Sequence, residues 1–177
     1  MAAGDTTIIS SRHPTSMLGH TRHPASVQPV SSDEPTIGFL CFNLGEEEFG
    51  VDLNLISQIV QPPPVTEVPR TRSYFIGVVS IRGGVVTLVD FRQLLGLDPA
   101  IIDRSSRILL YNTPREQFGI LVDRVTLVRR VPASTFEENP VLEENPVTEK
   151  VIGVVRPDKH TQVTIIDLEE IMHEALR

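Results

Sequence analysis

Ile76-Gly77-Val78-Val79-Ser80-Ile81-Arg82-Gly83-Gly84-Val85-Val86-Thr87-Leu88-Val89-Asp90 holds two aliphatic runs on either side of a glycine pair. That pattern predicts two strands joined by a tight turn, with Gly83 and Gly84 making the turn and Arg82 presented at its shoulder. Pieces of the stretch recur. Ile76-Gly77-Val78-Val79 returns as Ile152-Gly153-Val154-Val155, and Val86-Thr87-Leu88-Val89-Asp90 returns as Val163-Thr164-Ile165-Ile166-Asp167. A weaker echo relates Phe49-Gly50-Val51, followed by Asp52, to Phe118-Gly119-Ile120, followed after two further residues by Asp123. The copies lie 69 to 77 residues apart, longer than the ~20–50 residues of a solenoid unit. Two similar small barrels fit that spacing.

Both copies close alike. Asp90 precedes Phe91-Arg92-Gln93 and Asp167 precedes Leu168-Glu169-Glu170, so each aspartate is placed to cap a short helix, with Gln93 or Glu170 as the reciprocal partner of a capping box. Capping accounts for both carboxylates without catalysis.

Upstream, Phe39–Leu44 and Glu48–Asp52 read as a hairpin across a Gly-Glu turn. Apolar residues at 53, 55, 56, 59 and 60 predict a short helix over Leu53–Val60, ended by Pro62-Pro63-Pro64. Cys41 lies in the apolar run Phe39-Leu40-Cys41-Phe42 and reads as core. The fold class is all-β with few, short helices. Between Pro132 and Lys150, the near-repeat Glu137-Glu138-Asn139-Pro140-Val141-Leu142, Glu143-Glu144-Asn145-Pro146-Val147-Thr148 predicts an exposed, extended connector. Residues 1–36, rich in Ser, Thr, His and Pro and containing Arg-His-Pro twice, read as a flexible tail; residues 37–177 form the folded domain. His13, His20 and His23 in that tail carry only adventitious metal affinity, because a mobile segment loses entropy on closing around an ion.

Composition narrows the function. With 177 residues, 40% hydrophobic and 22% charged, the chain is large enough for its own core. A net charge of -7 opposes nucleic acid and anionic lipid, and two Tyr, seven Phe and no Trp provide few stacking platforms for single strands. Cys41 is the only cysteine, so an intrachain disulfide and any multi-cysteine metal site are excluded. No run of 18 apolar residues and no signal-like segment occurs, which predicts a cytoplasmic protein without membrane insertion. There is no phosphate loop, no zincin motif around His160 or His173 and no Gly-x-Ser-x-Gly, so no enzyme, cofactor or metal is expected. An interaction surface remains. Arg82 on its turn is either half of a surface ion pair or a contact residue. Arg124, Arg129 and Arg130 lie on one strand, with 124 and 130 on one face and 129 on the other, and suit a basic patch or an edge-strand guard against aggregation equally.

The stretches from Phe39 to Asp52 and from Ile76 to Arg92, continued through Phe118–Val131 and Val151–Met172, closely resemble the CheW-like domain of bacterial chemotaxis. The resemblance covers residues 38 to about 174 in order. It implies two intertwined five-stranded, SH3-like β-barrels and a non-catalytic adaptor. The implied partners are the regulatory domain of a CheA-type histidine kinase, the cytoplasmic tip of a chemoreceptor held between the barrels, and other CheW-like domains, in arrays at the membrane. By position it assigns receptor contact to Arg82, Gly77, Val85, Ile56 and Gln58. The family often has Asn, Pro and Glu where this chain has Ser80, Thr87 and Gln58. An accessory scaffold with a private partner in a motility or pilus system is the alternative within the same fold.

Overall fold

The computed structural model describes residues 34–138, 140, 147–158 and 161–177. The predicted tail and the middle of the predicted connector lie outside them. Eleven strands run in chain order: β1 (Thr36–Leu44), β2 (Glu47–Asp52), β3 (Ile56–Val60), β4 (Phe75–Ile81), β5 (Gly84–Asp90), β6 (Arg107–Asn112), β7 (Gln117–Val122), β8 (Arg124–Pro132), β9 (Phe136–Glu138), β10 (Val151–Val155) and β11 (Val163–Ile166). Helices α1 (Phe91–Leu94) and α2 (Leu168–Ala175) follow β5 and β11.

The strands form two mixed sheets, ordered β8-β1-β2-β11-β10-β9 and β3-β6-β7-β5-β4. The sequence repeat makes β4 and β5 the counterparts of β10 and β11, and β2 the counterpart of β7. Each sheet therefore combines strands from both halves of the chain. The first takes β1 and β2 from the N-terminal half and the rest from the C-terminal half; the second takes β3, β4 and β5 from the N-terminal half and β6 and β7 from the other. The halves meet at the only two parallel junctions among the described strands, and the same repeated residues form both: Thr164 and Ile165 pair with Phe49 and Gly50, and Thr87 and Leu88 with Phe118 and Gly119. Both Phe-Gly glycines are needed there. A Cβ on Gly50 would stand 2.7 Å from Ile165 Cδ1, and one on Gly119 would stand 2.8 Å from Ile108 Cγ2.

Alternation along the strands then sorts the apolar residues into three clusters. Val86, Leu88, Ile108 and Leu110 fill the inside of the second sheet, and Phe39, Cys41, Val163 and Ile165 fill the inside of the first. The largest cluster lies where the sheets meet, with Leu40, Phe42 and Phe49 from one facing Val89, Leu109, Phe118 and Ile120 from the other. The two sheets are thus interlocked in sequence and share a core. The intertwined all-β fold matches the expectation, with two refinements. The first sheet has a sixth strand, the short β9, and among the described residues neither ladder is closed by a pairing between its edges.

Three local expectations differ. Leu53–Val60 is not a helix: a single 3-10 turn at Leu53–Leu55 leads into β3, which pairs with β6. Part of the predicted connector is structured, since a 3-10 turn at Ala133–Thr135 leads into β9, which pairs with β10. The capping boxes are one-sided. Asp90 and Asp167 do cap α1 and α2, but their own N–H groups go to the carbonyls of Tyr74 and Lys150. Gln93 Oε1 is left buried without a partner.

Candidate functional site

Strands β4 and β5 join through a two-residue turn in which Ile81 pairs with Gly84. The central residues are Arg82 at φ 51° and Gly83 at φ 82°, the two left-handed positions of a type I′ turn. Arg82 therefore occupies the turn itself rather than its shoulder, and Gly84, expected in the turn, is the first residue of β5. A left-handed conformation costs a non-glycine residue about 1 kcal/mol. Among the described residues no carboxylate comes within ion-pair distance of Arg82, so the surface-pair reading of this arginine loses its partner. The strained backbone holds a free cation at the tip of a stiff hairpin.

Val85, opposite Ser80, is 76% exposed beside that tip. Val86 and Leu88 point into the sheet's interior, which leaves Val85 and Thr87 on the outer face. Gly77 lies in the same hairpin at a β-bulge, where a Cβ would stand 2.3 Å from the Thr66 carbonyl oxygen. The missing side chain lets Thr66 exchange hydrogen bonds with Val78 at 2.8 and 2.9 Å. The counterpart Gly153 makes room for Phe136 of β9 in the same way, at 2.3 Å. Gly77 thus has a packing role that its repeat partner shares.

Ile56 and Gln58 are not adjacent to these residues in the ladder. They lie on β3, at the edge opposite β4. Ile56 pairs with Tyr111 and packs against the central core, while half-buried Gln58 pairs with Leu110 across a bulge at Ser57. The structure brings Arg82, Gly77 and Val85 into one hairpin and keeps Ile56 and Gln58 on a separate strand.

Asp90 and Asp167 are both engaged by the backbone they cap. Asp90, 2% exposed, accepts from the backbone N–H groups of Arg92 at 3.0 Å, Gln93 at 3.4 Å and Ala100 at 2.8 Å, so its carboxylate is occupied by α1 and the following loop. Among the described residues Asp167 accepts from Glu170 N alone. Burial pushes the Cys41 thiol up to about 11, with help from Glu48, so it stays protonated and unreactive at neutral pH. Among the described residues no group of three metal-ligating side chains occurs, and no helix is long and apolar enough to cross a membrane. Strand β8, with Arg124, Arg129 and Arg130, is an edge of its sheet. Two of these arginines are engaged: Arg124 donates to Asn43 Oδ1, and Arg129 lies 3.7 Å from Glu48.

Sequence reasoning missed two ties between the halves. Asp123 Oδ2 accepts from Arg92 Nη1 and from Gly45 N, and the Ala175 carbonyl accepts from the Tyr74 hydroxyl at 2.7 Å and Arg72 Nη1 at 3.1 Å. The partners are 31 to 103 residues apart, and no local pattern announces such contacts.

The described residues form an interlocked pair of mixed sheets with duplicated hairpins that lead into capped helices. Residues 38–176 match the family model of the CheW-like domain. The chain belongs to the CheW family. It is 30% identical over 141 residues to the chemotaxis protein CheW of Helicobacter pylori, covering 79% of this chain and 84% of that protein. It is 27% identical over 135 residues to a probable chemotaxis protein CheW of Rhizobium etli, covering 76% and 86%. The fold is that of the scaffolding protein TtCheW from Thermoanaerobacter tengcongensis, with a TM-score of 0.66 at 22% identity over 85% of this chain and 93% of that one. CheW-like domains are known as non-catalytic scaffolds of chemotaxis signalling.

Proposed function

We propose that this CheW-like chain couples a chemoreceptor to a CheA-type histidine kinase, with Arg82 and Val85 on the receptor side. Ile56 and Gln58 on β3 add a second strip of receptor contact, and Gly77 acts by letting the hairpin pack. The observation that carries the reading is the strained Arg82 at the hairpin tip, which has no ion-pair partner among the described residues. A turn selected for stability alone favours Asn or Gly at that position, so an arginine there points to a use outside the fold. Val85 supplies exposed apolar surface next to the cation, and arginine is enriched among the residues that dominate protein interfaces. Coupling is mechanical: one rigid body binds both partners, so the receptor's conformational bias alters kinase output. The chain works in the cytoplasm, recruited to receptor arrays at the membrane.

The test is affinity purification of the tagged full chain from its own cells, wild type beside Arg82→Glu, with bound proteins identified by mass spectrometry. Kinase with both baits and receptor with wild type alone is the expected result. Kinase without receptor in either case would favour the accessory scaffold, and neither protein with either bait would remove the coupling role.

A further inference from the structure

The two halves of the chain, β1–β5 with α1 and β6–β11 with α2, are joined by residues 95–106. Both ends of that segment belong to the elements beside them. On one side Leu97 N donates to the Arg92 carbonyl and Arg92 Nε to the Asp98 carbonyl, both at 2.8 Å, so the chain stays wrapped on α1 as far as Asp98. On the other, Asp103 N donates to Ser106 Oγ, and Asp103 Oδ1 accepts from the N–H groups of Ser105 and Ser106, which folds that end onto β6. Between them residues 99–102 make, among the described residues, a single hydrogen bond, from Ala100 N to Asp90 Oδ2 at 2.8 Å. These four residues form a hinge.

The hinge turns its apolar side chains to water. Ile101 is 87% exposed, more than any other large hydrophobic residue described, and Ile102 is 41% exposed. Adjacent β-branched residues of this kind suit an extended, paired strand. The contacts between the halves, meanwhile, are ones that another copy can supply. β1 pairs with β8, β2 with β11, β3 with β6 and β5 with β7, and each of these pairings joins one half to the other. A neighbouring copy presents the same four partners.

We infer that the chain also forms an exchanged dimer with a second copy of itself, in which residues 99–102 straighten and β1–β5 of each copy complete their sheets with β6–β11 of the other. The four pairings and the shared core reform between copies, so the exchange costs the Ala100–Asp90 hydrogen bond, the seat of Ala100 against the second sheet's cluster and the entropy of joining two chains. The two straightened hinges run antiparallel past each other about the dimer axis, and their pairing takes Ile101 of both copies out of water. Because the halves interlock, a folded monomer cannot exchange without unfolding. The form is therefore set as the chain folds, and the dimer share rises with the concentration of folding chains. The dimer carries two Arg82 hairpins on one body and, on the receptor-side reading above, bridges two receptors; the exchange itself does not rest on that reading.

The experiment uses the full chain carrying Cys41→Ala, in two variants, Gly38→Cys and Arg130→Cys, whose positions are register partners between β1 and β8. The two are unfolded in urea, mixed, refolded together at high concentration and oxidised. Each chain then has one thiol, so positions 38 and 130 can be linked only if β1 of one copy lies beside β8 of the other. A dimer holding that disulfide, identified by mass spectrometry, is expected from the joint refolding and not when the variants are refolded apart and mixed afterwards. Ile101→Ser in both chains should lower the dimer's association constant about tenfold, through the apolar burial lost at the paired hinges, with the monomer's melting temperature preserved. Thr36→Cys with Pro132→Cys, partners in the same ladder, repeats the reading if the first pair does not fold. Monomer at every concentration, a dimer without the disulfide, a disulfide that forms equally after separate refolding, or a dimer indifferent to Ile101→Ser would each overturn the proposal.

Discussion

Arg92 and Asp123 face each other at 2.8 Å across the point where the chain leaves the second sheet for the first, and the same carboxylate oxygen takes the N–H of Gly45 at 2.7 Å. One side chain thus ties α1, the β1–β2 turn and the β7–β8 crossing together. At the other crossing, from β2 to β3, the hydrogen bonds among the described residues are local: Asp52 accepts from Asn54 N and the Leu53 carbonyl from Ile56 N. Asp123→Ala should therefore destabilise the fold by about 2 kcal/mol, one charge-assisted and one backbone hydrogen bond being lost. Urea unfolding measures this, and Asp52→Ala, which loses a local bond only, should cost about 1 kcal/mol.

The caps differ in the same way. Among the described residues Asp90 satisfies three backbone donors from a buried position, whereas Asp167 satisfies one. Asp90→Ala should cost about 3 kcal/mol and Asp167→Ala about 1 kcal/mol, read as a difference in urea midpoint at constant slope.

Gly83 and Gly77 both have positive φ, 82° and 154°, but a side chain at Gly83 meets nothing within 4 Å, whereas at Gly77 it also meets the Thr66 carbonyl at 2.3 Å. Gly83→Ala should cost about 1 kcal/mol and Gly77→Ala about 3 kcal/mol, because a backbone carbonyl gives way less easily than a side chain. Equal losses would count against the close approach of residue 66.

Arg82→Gly should raise stability by up to about 1 kcal/mol by relieving the left-handed strain, and should weaken receptor recovery. Arg82→Glu should weaken it further at unchanged melting temperature. Gain of stability with loss of binding is the signature of a residue kept for its partner; a stability loss in Arg82→Gly would assign the arginine to the fold.

Cys41 gives a pH test. Its pKa rises from 9.0 to about 11 on folding, chiefly through burial. Between those values the unfolded chain has lost the thiol proton and the native chain retains it, so the native state binds more protons and stability falls as pH rises through the window. Below pH 9 the contribution is constant. The fall should be smaller in Cys41→Ala, followed by urea unfolding from pH 8 to 11, and the native thiol should resist iodoacetamide at pH 8.

Much of this architecture was legible because the repeat is written in strand residues. Val86–Asp90 and Val163–Asp167 align by eye, and both lead into capped helices. Exchange of strands between the halves was not legible, since pairings such as Phe49 with Thr164 join residues that are remote in sequence. Leu53–Val60 misled for a local reason. The bulge at Ser57 puts two residues opposite one, so Ile59 turns outward and the apolar spacing imitates a helix. Arg82 was found, but its strain was hidden, because the glycine pair admits a turn centred on either 82–83 or 83–84 and only the register of β4 with β5 decides.

The exchange of strands also sets an order for synthesis. When the ribosome has produced residues up to β5, the emerging chain holds β1 and β2 without β8 and β11, and β3 and β5 without β6 and β7. Neither sheet can be completed at that point: β3, β4 and β5 wait for β7, and β1 and β2 wait for β11 near the end of the chain, so the first half persists as an aggregation-prone intermediate. A gene truncated at the repeat boundary would thus encode no stable half-protein, and the duplicated unit is viable only in the company of its copy.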